Sequence, residues 1–105
     1  MRAGRLDRRI TLQRFTATQD AYGEPIETWA DYVTVWARVE PLRGRERFEA
    51  QREHAEVDTR FHLRYRDDLT VEDRISYEGD LYDIEAILET GRHAGLEILG
   101  RAVQP

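Results

Sequence analysis

Hydrophobic and polar residues alternate along most of this chain, and the alternation predicts strands. From Arg9 to Phe15, Ile10 and Leu12 fall on one face while Arg9, Thr11 and Gln13 fall on the other, the pattern of a half-buried strand. Ile26 to Trp29 reads as a short strand. Tyr32 to Glu40 is stronger, with Val33, Val35, Ala37 and Val39 facing one way and Tyr32, Thr34, Trp36 and Arg38 the other. Pro41 ends it, because proline has no N–H for a ladder. Val57 to Tyr65 is the clearest, with Val57, Thr59, Phe61, Leu63 and Tyr65 on one side. Arg74–Tyr77 and Leu81–Glu89 form a hairpin around Glu78-Gly79-Asp80. In its second arm Tyr82, Ile84, Ala86 and Leu88 are expected to face inward and Asp83, Glu85 and Glu89 outward. A turn over Thr90–Gly95 leads to a last strand, Leu96–Val103.

Between the strands lie three other segments. Residues 1–7 read as a short Arg-containing arm. Residues 16–25 carry Asp20, Gly23 and Pro25 and read as an exposed loop. Residues 44–55 lack β-branched side chains and consist of good helix formers, with Arg45–Glu49 at i,i+4 and Glu49–Arg52 at i,i+3. That helix is poor in apolar residues, essentially Phe48 and Ala55, with Ala50 to one side. It therefore rides on the surface or packs against something outside the chain. The expected fold is mainly β: a small antiparallel β-barrel or sandwich of about six or seven strands with one α-helix after the third. The 105 residues suffice for one domain, residues 1–105, without repeat or linker.

Composition narrows the function more than the fold. Apolar residues make up 40% and charged residues 35%, so the chain has more surface than core, as expected for a small β domain with long exposed segments or extensive partner contacts. Cysteine is absent, which excludes disulfides, thiol nucleophiles and thiolate metal sites. No apolar run approaches the ~18 residues of a membrane span, and the Arg-rich start is not followed by one either. The chain is expected to be soluble, made in a reducing cytoplasm, with no membrane partner. Its net charge of −5 argues against a general nucleic-acid binder. All 16 cationic side chains are arginine, and lysine and asparagine are both missing. Codons for both are AT-rich, so their joint absence reflects a GC-rich genome and the arginine count carries little functional weight.

The search for chemistry is negative, and neither cofactor nor metal is expected. Ser76 is the one serine and stands outside any Gly-x-Ser-x-Gly frame; the seven glycines form neither a P-loop nor a dinucleotide pattern. His54, Asp58 and His62 are spaced by four, but the strand from Val57 breaks the helical alignment a metal site would use. Asp67-Asp68-x-x-x-Glu72-Asp73 lacks the alternation and central glycine of a calcium loop and reads as an exposed acidic turn. The Arg43–Arg45–Arg47 run, with Arg52 beyond it, could contact phosphate. Its interleaved Glu46, Glu49 and Glu53 suit a salt-bridged surface or a subunit interface equally well.

Several segments, taken in order, resemble the phage head–tail joining family. They are residues 1–14 (Met-Arg-Ala-Gly-Arg-Leu-Asp-Arg-Arg-Ile-Thr-Leu-Gln-Arg), Asp20–Trp29, Val35-Trp36-Ala37-Arg38-Val39-Glu40-Pro41-Leu42-Arg43-Gly44-Arg45-Glu46, Arg64-Tyr65-Arg66 and Tyr82-Asp83-Ile84-Glu85. The likeness runs from residue 1 to about residue 100, and the Thr90–Gly95 turn is its least typical part. It implies a non-enzymatic subunit of a ring, often of about twelve copies, in the neck of a tailed-phage or gene-transfer particle assembled in the bacterial cytoplasm. Such a stopper closes the head and retains DNA. Its partners are other copies of itself, a portal or adaptor protein, a tail terminator or tail tube, and channel DNA held without sequence specificity. Within that picture Asp20, Tyr22, Gly23 and Glu24 are candidates for a channel-facing loop. Arg43, Arg45, Arg47, Glu49 and Arg52 are candidates for a subunit or partner interface. A tail-terminator ring or portal-proximal adaptor would carry the same features. An OB-type nucleic-acid module would need a basic aromatic groove, and a small hydrolase would need His54, His62 or Ser76.

Overall fold

In a computed structural model the described residues are 5–103; residues 1–4, most of the expected N-terminal arm, and residues 104–105 lie outside them. The order of elements is β1 (Arg8–Gln19), β2 (Pro25–Pro41), α1 (Gly44–Glu53), β3 (Thr59–Arg64), β4 (Arg74–Tyr77), β5 (Asp80–Thr90) and β6 (Gly95–Ala102). All pairings are antiparallel, and the six strands close on themselves in the order β1-β2-β3-β6-β5-β4. Closure removes the sheet edges that a small open β domain would otherwise expose.

The inward positions of the alternating strands fill the interior. Ile10, Leu12, Phe61, Leu63, Ile75 and Ile98 are fully buried there, and Phe61 meets Tyr82 edge-on at 5.1 Å between ring centroids. Gly100 is needed beside them, since a Cβ at that position would lie 3.0 Å from the Phe61 ring. Glu78 and Gly79 both have positive φ (50° and 84°), giving the two-residue turn that tightly links β4 to β5.

The structure corrects several boundaries. The exposed loop expected over residues 16–25 is mostly strand: Thr16–Gln19 extend β1, Pro25 opens β2, and a tight turn is all that separates them. The two strands expected between Ile26 and Glu40 are one, so α1 follows the second strand. The helix ends at Glu53 rather than residue 55. In β5 a bulge between Ile84 and Ala86 changes which side chains face in. Ile84 stays in the barrel interior and Ile87 packs against it, whereas Leu88, expected inside, is exposed.

Ala86 is turned by that bulge into a second, smaller cluster with Leu42, Val57 and Leu99, on which Ala50 of α1 rests. Thus the helix touches the barrel through Ala50, while Phe48, its largest apolar side chain, is 66% exposed, as expected of a helix that rides on the surface. Arg60 reinforces the dock, reaching Glu40 of β2 and Glu46 of α1 at 3.2 and 2.5 Å, and pairing also with Glu97 of β6.

Candidate functional site

Two elements project from this frame, and the longer is the β1–β2 hairpin. The two strands pair from Arg8↔Ala37 to Gln19↔Pro25. Their other neighbours stop early: β4 flanks β1 only over Thr11–Gln13, and β3 flanks β2 only over Ala37–Pro41. Beyond those limits the hairpin continues as a two-stranded ribbon with both outer edges unpaired, and the described chain measures 50 × 26 × 24 Å. Every residue from Arg14 to Thr28 is exposed.

The arm ends in a turn built by Asp20. Its backbone carbonyl accepts from Gly23 N–H, and its Oδ1 accepts from the N–H groups of Tyr22 and Glu24 at 2.8 and 2.9 Å. Gly23 has φ of 81°, a conformation that glycine adopts without strain. Of the four residues expected in a channel-facing loop, Asp20 and Gly23 shape the turn. Tyr22, 92% exposed, and Glu24 project from it.

At the arm's root a polar knot replaces the barrel core. A register shift between Leu12 and Gln13 leaves Tyr32 without a partner and re-aims its side chain. Its hydroxyl donates to the buried carboxylate of Asp73, which also accepts from Arg14 Nε and Nη2 and from Thr70 N–H at 3.0 to 3.3 Å. The Arg14 guanidinium lies 4.2 Å from the Tyr32 ring centroid, and that of Arg74 lies 4.2 Å from Trp29, which in turn meets Phe15. Arg74 donates to Gln13, and Gln13 donates to Asp31. Burial, reinforced by the Asp73 charge, pushes the Tyr32 hydroxyl up to about 12. None of this knot was visible in the sequence, because its partners are far apart in the chain. No local spacing links Arg14 to Asp73.

The helix is the second projection. Arg45 pairs with Glu49 at 3.3 Å on a highly exposed surface. Arg43 sits at the N-cap with its carbonyl accepting from Arg47 N–H, and among the described residues Arg43, Arg47 and Arg52 form no ion pair. The residues expected at an interface, Arg43, Arg45, Arg47, Glu49 and Arg52, are all exposed.

The polar groups set aside in the sequence have other employment. Asp58 accepts from the Thr59 hydroxyl and from Ala102 N–H. Burial lowers the His62 pKa. Asp68 pairs with Arg66, whose hydrogen bond holds its carboxyl below the usual range, and Asp73 belongs to the knot. Among the described residues no group of three or more His, Asp or Glu could hold a metal ion, and no helix is long and apolar enough to cross a membrane.

The class defined by these features is a small barrel module filled by its own side chains, with unspent polar and aromatic groups on a hairpin arm and an outer helix. The model of the phage head completion protein family matches residues 1–103, and the chain belongs to that family. It is similar to head completion protein gp7 of Enterobacteria phage HK97, 30% identical over an alignment of 89 residues, with 80% of each chain covered. The solution structure of protein SF1141 from Shigella flexneri 2a superposes with a TM-score of 0.83 at 35% identity, covering 97% of this chain and 96% of that one. A chain from the virion of a native gene transfer agent particle shares the fold at 19% identity, with a TM-score of 0.62 over 95% and 97% of the two chains. The family resemblance carried by the ordered segments is thereby borne out.

Proposed function

We propose that this chain is a structural subunit of the ring that joins a tailed-phage-like head to its tail, closing the head and retaining its DNA. The observation that carries the reading is membership of the head completion family across nearly the whole chain. The architecture supports it. A closed barrel leaves no sheet edge of its own, so the two projections are the elements free to reach a neighbour. Copies meet heterologously, about twelve to a ring, with a portal or adaptor on the head side and a tail terminator or tube on the tail side. The arm tip, Asp20, Tyr22, Gly23 and Glu24, faces the channel, where its carboxylates keep DNA sliding without sticking. The helix, through Arg43, Arg45, Arg47, Glu49 and Arg52, faces a protein partner. The site of action is the particle neck, reached by assembly in the host cytoplasm.

Particles assembled without the chain test this. DNA-filled heads that leak, accumulating beside free tails, are the expected result. Sealed heads carrying overlong tails would make the chain a tail terminator and overturn the reading.

A further inference from the structure

The arm and the outer face at the hairpin's base have opposite character. From Thr16 to Thr28 the arm carries three carboxylates, Asp20, Glu24 and Glu27, and no cation. It also exposes Tyr22 and Ile26. At the base, Trp36 is 51% exposed, with the Arg9 guanidinium 4.7 Å from its ring centroid. Arg5 and Arg64 line the open groove on one side of Trp36, and Arg64 and Arg66 line the groove on the other. Among the described residues Arg5, Arg9 and Arg64 form no ion pair, and Asp7 is the one carboxylate lining those grooves. Arginines with no ion-pair partner, grouped around an exposed tryptophan, stand out in a chain of net charge −5.

We propose that this Arg9–Trp36–Arg64 face receives the arm of a second copy of the chain. This rests on the ring reading above and names the contact that propagates the ring. Stacking on Trp36 occupies the plane of the Arg9 guanidinium and leaves its N–H edges for a carboxylate. Glu27 of the shaft and Glu24, where the tip turn joins β2, supply carboxylates, and Ile26 supplies apolar surface for the indole. The unpaired ribbon edges add backbone donors and acceptors. The face lies at one end of the hairpin and the arm at the other. Each copy therefore gives and receives once, which makes a heterologous contact that closes by rotation. Seating Glu27 and Glu24 on a neighbour takes Glu24 out of the channel-facing set and leaves Asp20, Tyr22 and Gly23 at the free tip, whose direction it fixes.

DNA phosphate is the competing occupant of an arginine–tryptophan face. The acidic, partly apolar arm and its open edges favour the protein.

Charge exchange separates the two. The full-length chain is supplied as Arg9→Glu/Arg64→Glu, as Glu24→Arg/Glu27→Arg, and as the combined fourfold variant, and the readout is the number of chains retained per purified particle. Each double variant should lose at least about tenfold in incorporation, and the fourfold variant should recover most of it. Equal thermal melts establish folding, and Arg9→Gln/Arg64→Gln replaces a double variant that melts early. Normal incorporation of either double variant, or no recovery in the fourfold one, overturns the proposal. Loss confined to the arginine variant, together with salt-sensitive DNA binding by the free wild-type chain, assigns the face to DNA instead. Absence of wild-type chain from purified particles would defeat the ring reading itself, an outcome distinct from all of these.

Discussion

The two halves of the β1–β2 hairpin are built from the same pairing and differ in everything else. Near the barrel, Ile10 and Leu12 are fully buried and Val33 and Val35 pack against the core. Beyond the register shift at Leu12 the same two strands continue as a ladder, yet every residue from Thr16 to Thr28 is exposed. What changes is the presence of a third strand. β4 and β3 supply the surfaces that turn alternation into burial, and where they stop alternation persists only as pleat. The Asp73 knot lies at the boundary. It trades apolar packing for hydrogen bonds and stacked guanidinium groups, which hold a ribbon that has no core of its own. Backbone pairing thus suffices to shape the arm, while stability is concentrated in the barrel.

The sharpest test of that division is Phe61→Ala, which empties the barrel centre and should cost about 3–5 kcal/mol in denaturant unfolding. Gly100→Ala acts on the same packing from the other side. Its Cβ would press on the Phe61 ring, and a loss of about 1–3 kcal/mol is expected in the same measurement. At the boundary, Asp73→Ala strands the Tyr32 hydroxyl and Arg14. It should cost about 2 kcal/mol and raise amide exchange in the arm above that in β6.

Alkali probes the knot more gently. Tyr32 ionises near 10 when unfolded and about 12 when folded, so the fold favours its neutral form. The resulting stability should be intact below about pH 10 and lost as the pH rises through the folded value. Because Tyr77 and Tyr82 are also raised, the Tyr32→Phe variant isolates this share as the part of the alkaline loss that disappears. The smallest effect belongs to the arm, where Ile26→Ala should shift unfolding by no more than about 0.5 kcal/mol. A cost comparable to that of Asp73→Ala would show that the ribbon shares the barrel's stability, and the comparison would fail.

Particular residues show how legible the molecule was. The alternation of Thr59, Phe61 and Leu63 placed the central strand on the right face, because every second side chain there meets the core. The same reasoning misplaced Leu88, since one bulge residue reverses the phase and no local signal marks it. It also took residues 16–25 for a loop. Asp20, Gly23 and Pro25 spell a loop when read alone, but strand pairing runs to Gln19↔Pro25 and leaves only the tip between them. Among the site residues, the turn chemistry of Asp20 and Gly23 was readable as local geometry. The knot of Arg14, Tyr32 and Asp73 and the Arg9–Trp36–Arg64 face were not, because each joins residues from separate strands.

By itself, then, the sequence determined the β character, the single polar helix and the turns, all set by neighbours within a few residues through pleat, φ preference and side-chain shape. Ordered family motifs carried it further, to the kind of particle it serves. Only the tertiary structure decided that the sheet closes, that Ala50 rather than Phe48 seats the helix, and that the hairpin outruns its neighbours into an arm. Those outcomes depend on strand lengths and on contacts between segments dozens of residues apart. Local periodicity carries no information about where a neighbouring strand ends.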